Sequence, residues 1–109
     1  MSMLSEYSKI FDSDCINWSD DQNWNLLYLR HTQTYFNDVL KNRGYVFLRD
    51  VYEYLGIPVT KASIIVGWVY DPKNILIDSF IDFGLEQTDE SDILMNFNVD
   101  GNIIKYFKD

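Results

Sequence analysis

Large hydrophobic and aromatic side chains recur at intervals of three and four residues in the first half of the chain. The residues of this stripe are Trp24, Leu27, Tyr28, His31, Tyr35, Phe36, Val39 and Leu40. The spacing predicts an α-helix over about residues 20–43 with the stripe buried. Ser19 and Gln22 are spaced as a capping box at its start, and Gly44 is the residue type that ends helices in a left-handed conformation.

A second, shorter amphipathic helix is predicted over residues 47–55. Its apolar face would consist of Phe47, Leu48, Val51, Tyr52 and Leu55. Gly56 supplies a stop signal, and Pro58 prevents the helix from continuing because it lacks a backbone N–H.

From residue 62 onward the pattern becomes typical of strands. Residues 64–70 (IIVGWVY) are mainly β-branched or aromatic and predict a strand that ends at Asp71-Pro72. Residues 77–86 alternate between apolar and polar side chains and predict a second strand, with Ile81 and Phe83 on its inner face. Residues 87–92 are polar and acidic and predict a loop.

A β-hairpin is predicted at the end of the chain. Residues 95–99 and 102–106 flank Asp100-Gly101, a dipeptide that suits a two-residue type I′ turn. The apolar pairs across this hairpin would be Phe97 with Ile104 and Met95 with Tyr106. The inward and outward side chains separate well in this register, which favours it.

Together these elements predict a single α+β domain over residues 1–109. Two N-terminal helices would pack on one face of a three- to four-stranded antiparallel sheet that ends in the hairpin. Residues 1–18 show no clear period. We expect residues 1–14 to be partly loose, although Ile10, Phe11, Ile16 and Trp18 could pack against the core.

Composition narrows the class of protein. With 109 residues, 47% of them hydrophobic and 17% aromatic, the chain is large enough to bury a core without a disulfide or metal. The single cysteine, Cys15, excludes an internal disulfide and favours a reducing compartment, which predicts a cytoplasmic protein. The apolar runs are too short to span a bilayer, and no signal-peptide pattern is present.

The net charge of −8, from 17 acids against 9 bases, opposes direct binding to nucleic acid or to an anionic membrane. No base occurs between Lys73 and Lys105, a span that contains many of the acids. We predict a partner-binding site at Asp78, Asp82, Glu86, Asp89, Glu90 and Asp92. Such a surface would imitate the charge of DNA and bind the basic groove of a nucleic-acid-binding protein.

Several short segments occur in a fixed order between residues 30 and 104. They are residues 43–48 (RGYVFL), 51–52 (VY), 55–56 (LG), 60–62 (TKA), 66–71 (VGWVYD), 80–84 (FIDFG) and 96–101 (NFNVDG). Together they resemble a family of small uncharacterised proteins from phages and prophages of Firmicutes. The resemblance implies a phage or prophage origin but no activity. Inhibition of a host defence nuclease, as by anti-CRISPR proteins of similar size and charge, is the function we expect.

Two other functions remain open. The 3 Trp, 8 Tyr and 7 Phe residues exceed what a small core can hide, which favours an assembly role or a homodimer. The second is a transcription regulator that binds DNA through a helix-turn-helix. This motif would have to be formed by residues 48–56 and 59–68. Lys61 is the only base in the second of these segments, and its β-branched run favours a strand, so this alternative is disfavoured.

Candidate metal ligands are poorly arranged. Neither Asp89, Glu90 and Asp92 nor Asp12 and Asp14 has the spacing of a calcium-binding loop. His31 is the only histidine and has no cysteine at ligand spacing, so we interpret it as a hydrogen-bonded residue at the edge of the core. We therefore predict no metal and no cofactor.

Candidate catalytic groups are equally weak. Cys15 lies among acids, which raise the pKa of a thiol and disfavour a nucleophile. Ser63 or Thr60 with His31 as a base has no motif that would position it. We predict a protein that is not an enzyme.

Overall fold

The computed structural model describes residues 7–88 and 91–107. In these residues the chain forms five short strands, two α-helices and two 3-10 turns. The strands are β1 (Lys9–Phe11), β2 (Tyr45–Phe47), β3 (Gly67–Val69), β4 (Glu86–Gln87) and β5 (Ile93–Met95). The helices are α1 (Gln22–Arg43) and α2 (Leu48–Leu55), and the 3-10 turns are Ala62–Ile64 and Ile104–Phe107.

The strands form two small antiparallel sheets, one in the order β1-β5-β4 and the other pairing β2 with β3. The α+β composition agrees with the prediction, but the predicted arrangement is wrong. Both helices lie in the middle of the chain after β1, and the described strands do not form a single sheet beneath them. The reason is that β5 pairs with β1, which places Phe11 opposite Ile93, whereas β2 separates α1 from α2 and pairs with β3.

The beginning of the chain contributes to the core. Phe11 is fully buried in β1, within the segment for which a loosely held N terminus is expected. Tyr7 lies against the core and its carbonyl accepts a hydrogen bond from the Tyr52 hydroxyl. Residues 1–6 lie outside the described residues.

Helix α1 begins and ends for clear reasons. The Asp21 carboxylate accepts hydrogen bonds from the N–H groups of Asn23 and Trp24, so Asp21 is the N-cap. The predicted capping box at Ser19 is therefore wrong. The predicted stop is confirmed, because Gly44 has a φ of 93° and its N–H donates to the Leu40 carbonyl.

The buried face of α1 is rotated relative to the predicted stripe. Its buried residues are Asn25, Leu29, Thr32, Phe36 and Leu40. From the predicted stripe, Trp24, Leu27, His31 and Tyr35 are exposed, so His31 does not lie at the core edge as expected. The hydrophobic period missed Asn25 and Thr32 because both are polar. They can be buried because hydrogen bonds satisfy them: Asn25 donates to the carbonyls of Ser19 and of the distant Ser91, and Thr32 donates to the Tyr28 carbonyl.

Helix α2 agrees with the prediction in its extent and in its apolar face. Leu48, Val51, Tyr52 and Leu55 are buried, and Gly56 ends the helix with a φ of 76°. Phe47 belongs to the end of β2, so the helix starts one residue later than predicted.

Strand β3 is shorter than the predicted strand over residues 64–70, because Ala62–Ile64 instead form a 3-10 turn. Its first residue, Gly67, is required by close packing. A Cβ atom at this position would lie 2.1 Å from the Val46 carbonyl oxygen, so no larger residue fits without moving β2. The next residue, Trp68, is fully buried.

The predicted strand over residues 77–86 is wrong apart from Glu86, which begins β4. The predicted alternation is nevertheless confirmed, since Ile81 and Phe83 are buried whereas Asp82 is exposed. The segment is extended enough to alternate, but side chains rather than a neighbouring strand satisfy much of its backbone.

The predicted terminal hairpin is also wrong. Met95 pairs with Lys9 in β1, and Ile104–Phe107 form a 3-10 turn. Asp100 does not form a tight turn between two strands; its carboxylate accepts a hydrogen bond from the Val69 N–H, and its own N–H donates to the Gly67 carbonyl. The segment therefore packs against β3 rather than against itself.

Candidate functional site

The structure describes four of the six acids predicted as a partner-binding site. Asp89 and Glu90 lie outside the described residues. The four are divided along the chain: Asp78 and Asp82 precede β4, Glu86 lies in β4, and Asp92 precedes β5. The sequence grouped them by proximity in the chain, whereas the fold brings only some of them together.

Asn98 joins Asp78 to Asp82. Its amide nitrogen donates to the Asp78 carboxylate (3.0 Å) and to the Phe80 carbonyl (3.1 Å). Its amide oxygen accepts from the Asp82 N–H (2.7 Å) and from the indole N–H of Trp68 (2.8 Å). All four hydrogen bonds that this amide side chain can make are therefore formed. The two aspartates are held in a defined position relative to the core.

Asp100 completes what we call the acidic cluster, defined as Asp78, Asp82 and Asp100. Its carboxylate accepts a hydrogen bond from the Val69 N–H (2.9 Å), and both the backbone N–H and the charge of Asp78 lie near it. Burial, assisted by the Asp78 charge, raises the pKa of Asp100, although the two backbone hydrogen bonds oppose the change.

A second set of amides fixes the chain between Asp78 and β4. Asn37 of α1 donates to the Ile81 carbonyl (2.9 Å) and accepts from the Ile81 N–H (2.8 Å), as a neighbouring strand would. One helical turn away, Gln33 accepts from the Phe83 N–H (2.8 Å). The cluster is thus held between α1 on one side and Asn98 on the other.

Within the described residues, no basic side chain forms an ion pair with the acidic cluster. The two ion pairs found there join Arg43 to Asp50 and Arg49 to Glu53, both at the helices. Asp78 and Asp82 are exposed, and Asp82 also accepts a hydrogen bond from the Gly84 N–H (2.8 Å). The cluster therefore presents ordered negative charge to solvent.

Asp92 lies in a different environment, near Cys15. Burial is the main cause that raises the pKa of the Cys15 thiol, and the charges of Asp12, Asp14 and Asp92 add to it. The direction agrees with the prediction, and burial is a larger cause than the acids. A thiol with a raised pKa has little thiolate at neutral pH, so this arrangement does not favour a nucleophile.

The other candidate groups do not come together. Ser63 is buried and its hydroxyl donates to the Thr60 carbonyl, so it closes a turn, whereas His31 is exposed on α1. Within residues 7–88 and 91–107, no group of three His, Cys, Asp or Glu side chains is placed to hold a metal ion. No helix in those same ranges is long and apolar enough to cross a membrane.

A groove of about 410 Å³ lies between α1 and α2. Tyr35, Val39 and Arg43 line it from α1, and Asp50 and Tyr54 from α2. The Arg43 guanidinium is held by Asp50 at 3.0 Å and lies 4.6 Å from the centre of the Tyr45 ring. The groove was not expected from the sequence, because Tyr35, which lines it, was predicted to be buried.

A loop between β3 and the acidic cluster exposes two aliphatic side chains. Ile75 is 95% exposed and Leu76 is 87% exposed. The Asp71 N–H donates to the Ser79 hydroxyl, which closes the loop at its base. These residues were not singled out from the sequence, although an apolar run that follows Pro72 in a loop is a signal that would have found them.

Asn98 is the functional residue that sequence reasoning missed most clearly. The predicted hairpin placed Phe97 in an apolar pair with Ile104, so Asn98 would have lain on the opposite face. Its position after the buried Phe97, together with an indole N–H at Trp68 that needs an acceptor, would have been the only signal.

No curated protein and no solved structure matches this chain. The function is therefore inferred from the fold and from the arrangement of the site. A family of unknown function, DUF6353, has a model that matches residues 2–107, and the chain belongs to that family.

Proposed function

We propose that this protein acts by binding a protein partner through the acidic cluster, and that the partner surface is a basic one that otherwise holds nucleic acid. The observation that carries the proposal is the cluster itself. Asp78 and Asp82 are exposed, lie on either side of one amide and form no ion pair with a base of the described chain. Negative charges fixed in this way resemble the phosphates that a basic groove accepts.

The rigidity of the cluster supports the proposal. An exposed acid that rotates freely loses side-chain entropy when it binds, and this loss weakens the complex. Here the hydrogen bonds of Asn98 and Gly84 already hold the two carboxylates. Glu86, exposed in the edge strand β4, extends the negative surface.

The finer part of the proposal concerns origin and partner. From the sequence resemblance we propose a phage or prophage origin, with the protein acting in the host cytoplasm. The partner would then be a host defence protein, such as a nuclease, whose DNA groove the acidic cluster occupies. Catalysis has no place in this proposal, since occupation of the groove is sufficient for inhibition.

The test compares two triple variants with equal loss of charge. Asp78→Asn, Asp82→Asn and Glu86→Gln remove three acids at the candidate surface. Asp20→Asn, Asp38→Asn and Glu53→Gln remove three exposed acids elsewhere. Each tagged protein is immobilised and mixed with lysate of bacteria that carry defence systems, and retained proteins are eluted with a short DNA duplex.

We expect the wild type and the second variant to retain a basic nucleic-acid-binding protein that the duplex displaces. The first variant should lose it, and raised salt should weaken retention because exposed charges are screened. Equal retention by both variants, or a partner that the duplex does not displace, would reject the proposal.

An assembly role is the second candidate, and a specific observation favours it. Trp24, Leu27 and Tyr35 are exposed along α1, so residues 7–88 and 91–107 leave this apolar helix face uncovered. A transcription regulator is not supported. After α2 the chain forms only the 3-10 turn Ala62–Ile64 and then β3, so a recognition helix is absent from this part of the described chain.

A further inference from the structure

We propose that a second copy of this chain packs antiparallel on α1, about a two-fold axis that passes near His31. The surface is the α1 stripe, defined as Trp24, Leu27, His31 and Tyr35. This inference is independent of the acidic cluster, because the two surfaces share no residue.

The α1 stripe is a continuous apolar surface. Trp24 is 43% exposed, Leu27 56% and Tyr35 50%. The exposed His31 lies between Leu27 and Tyr35. Their spacing of three to four residues places them on one line of the helix, over a rise of about 16 Å. Two such lines can pack against each other as helices do in bundles.

The aromatic members are already held in place. The Trp24 ring stacks on Tyr28 with centroids 5.3 Å apart and an angle of 6°, and Tyr35 stacks on Tyr54 at 5.6 Å. Rings that are fixed before binding lose little entropy on association. Aromatic side chains of this kind are also enriched at the centres of protein interfaces.

Charge is less unfavourable to contact between two copies at α1 than at the acidic cluster. The whole chain carries a charge of −8, so two copies repel one another over most of their surface. Helix α1 is an exception, because it contains three bases, Arg30, Lys41 and Arg43, and one acid, Asp38. Two copies that meet at α1 therefore repel one another less than two copies that meet at the acidic cluster.

The antiparallel register is self-complementary. With His31 at the axis, a residue before it faces the residue equally far after it in the second copy. Leu27 then lies opposite Tyr35, and the start of one α1, with Asp21, lies at the same height as the end of the other, with Lys41. The helix dipoles are also opposed in this arrangement, which is favourable. A parallel arrangement would instead place acid against acid at one end and base against base at the other.

The groove between α1 and α2 fits this arrangement. It lies beside Tyr35 and has a volume of about 410 Å³, with Arg43 at its polar end. In the proposed register Trp24 of the second copy lies next to residues 35–42 of the first, within reach of this groove. An indole there would cover Tyr35 and contact the Arg43 guanidinium.

The first experiment measures the mass of the full chain by sedimentation over a range of concentrations. We expect the wild type to associate to twice its 12.9 kDa. Leu27→Glu should weaken association at least tenfold, because it places an acid at the centre of the apolar contact. The matched control is Ile16→Glu, since Ile16 is 86% exposed and lies outside α1. Circular dichroism and the unfolding midpoint should be unchanged in both, which separates loss of the dimer from loss of the fold.

The second experiment tests the register. In a Cys15→Ser background, His31→Cys lies on the proposed axis and should form a disulfide-linked dimer rapidly under mild oxidation. The control is Asn42→Cys, at an exposed position near the end of α1. In the proposed register it lies far from the same residue of the second copy, so it should not form this disulfide.

Three results would overturn the proposal. The first is a wild type that stays monomeric at the highest concentration. The second is association that survives Leu27→Glu, or that Ile75→Ser with Leu76→Ser removes instead. The third is a His31→Cys protein that forms a disulfide-linked dimer no faster than Asn42→Cys.

Discussion

Helix α1 and the segment of residues 78–103 solve the same problem in different ways. Both must satisfy the hydrogen-bonding groups of a backbone that passes over the core. In α1 the helix itself does so over 22 residues. In residues 78–103 the strands β4 and β5 are two and three residues long, and side chains such as Asn37 and Asn98 bind the backbone of the segment that precedes β4.

The difference determines where single residues matter. An exposed residue of α1 can change without loss of a backbone hydrogen bond. One amide in the other region supports several backbone groups at once, because it replaces a neighbouring strand. We therefore expect the 78–103 segment to be sensitive at a few polar residues that a hydrophobicity pattern does not distinguish.

The largest expected effect is that of Asn98→Ala. It removes the partners of the fully buried Trp68 indole N–H, the Phe80 carbonyl and the Asp82 N–H. We expect a loss of about 3 kcal/mol in the free energy of unfolding, since unpaired buried groups cost about 1–3 kcal/mol each and water can reach some of these. Urea unfolding followed by tryptophan fluorescence measures it.

The control for this comparison is Asn42→Ala, which changes the same residue type at an exposed position of α1. Its effect should stay within about 0.5 kcal/mol. If the two substitutions destabilise equally, Asn98 is not the support that its hydrogen bonds indicate. A further check is a Trp68→Phe background, in which Asn98→Ala should cost less.

A smaller effect is expected for Asn37→Ala on α1. The Ile81 N–H and carbonyl lose their partners, and we expect a loss of about 2 kcal/mol. The exchange rate of the Ile81 amide should rise in this variant, whereas the exchange rates of the α1 amides should not change. Persistent protection of Ile81 would mean that another group replaces Asn37.

The smallest effect concerns Asp100. Because folding raises the pKa of Asp100, ionisation of its carboxyl destabilises the folded state relative to the unfolded chain. This cost is present at neutral pH and disappears as the pH falls through the folded pKa toward the ordinary value of about 3.9. Asp100→Asn keeps an oxygen for the Val69 N–H, so it should raise the melting temperature slightly at pH 7.

The advantage of Asp100→Asn should shrink on acidification, as the wild-type carboxyl becomes protonated. Thermal unfolding at several pH values between about 7 and 4 measures this. A constant difference between the two proteins over this range would contradict the proposed cause.

The helices were the predictable part of the fold, because their signals are local. The spacing of apolar residues and the stops at Gly44 and Gly56 predict where α1 and α2 end. The start of α1 was missed by two residues, since Asp21 rather than Ser19 provides the cap. Two neighbouring candidate caps are hard to distinguish without the rest of the structure.

The region after β3 was not predictable for the opposite reason. Asp100-Gly101 has the local preference of a hairpin turn, but the Asp100 carboxylate binds Val69 and a bridge joins Asn102 to Val66. These distant contacts override the local preference. Two of the predicted site residues, Asp78 and Asp82, share one hydrogen-bonding partner, Asn98, which carries no charge and was not singled out from the sequence.

The link between Asn98 and Trp68 has a practical consequence for identifying a partner. Since one side chain bonds both the acidic cluster and a residue at the centre of the core, the cluster keeps its shape only while the core is intact. A molecule that recognises that shape binds the folded chain alone, and it therefore shifts the folding equilibrium toward the native state. Candidate partners can then be ranked by the rise in melting temperature that they cause, whatever activity the complex turns out to have.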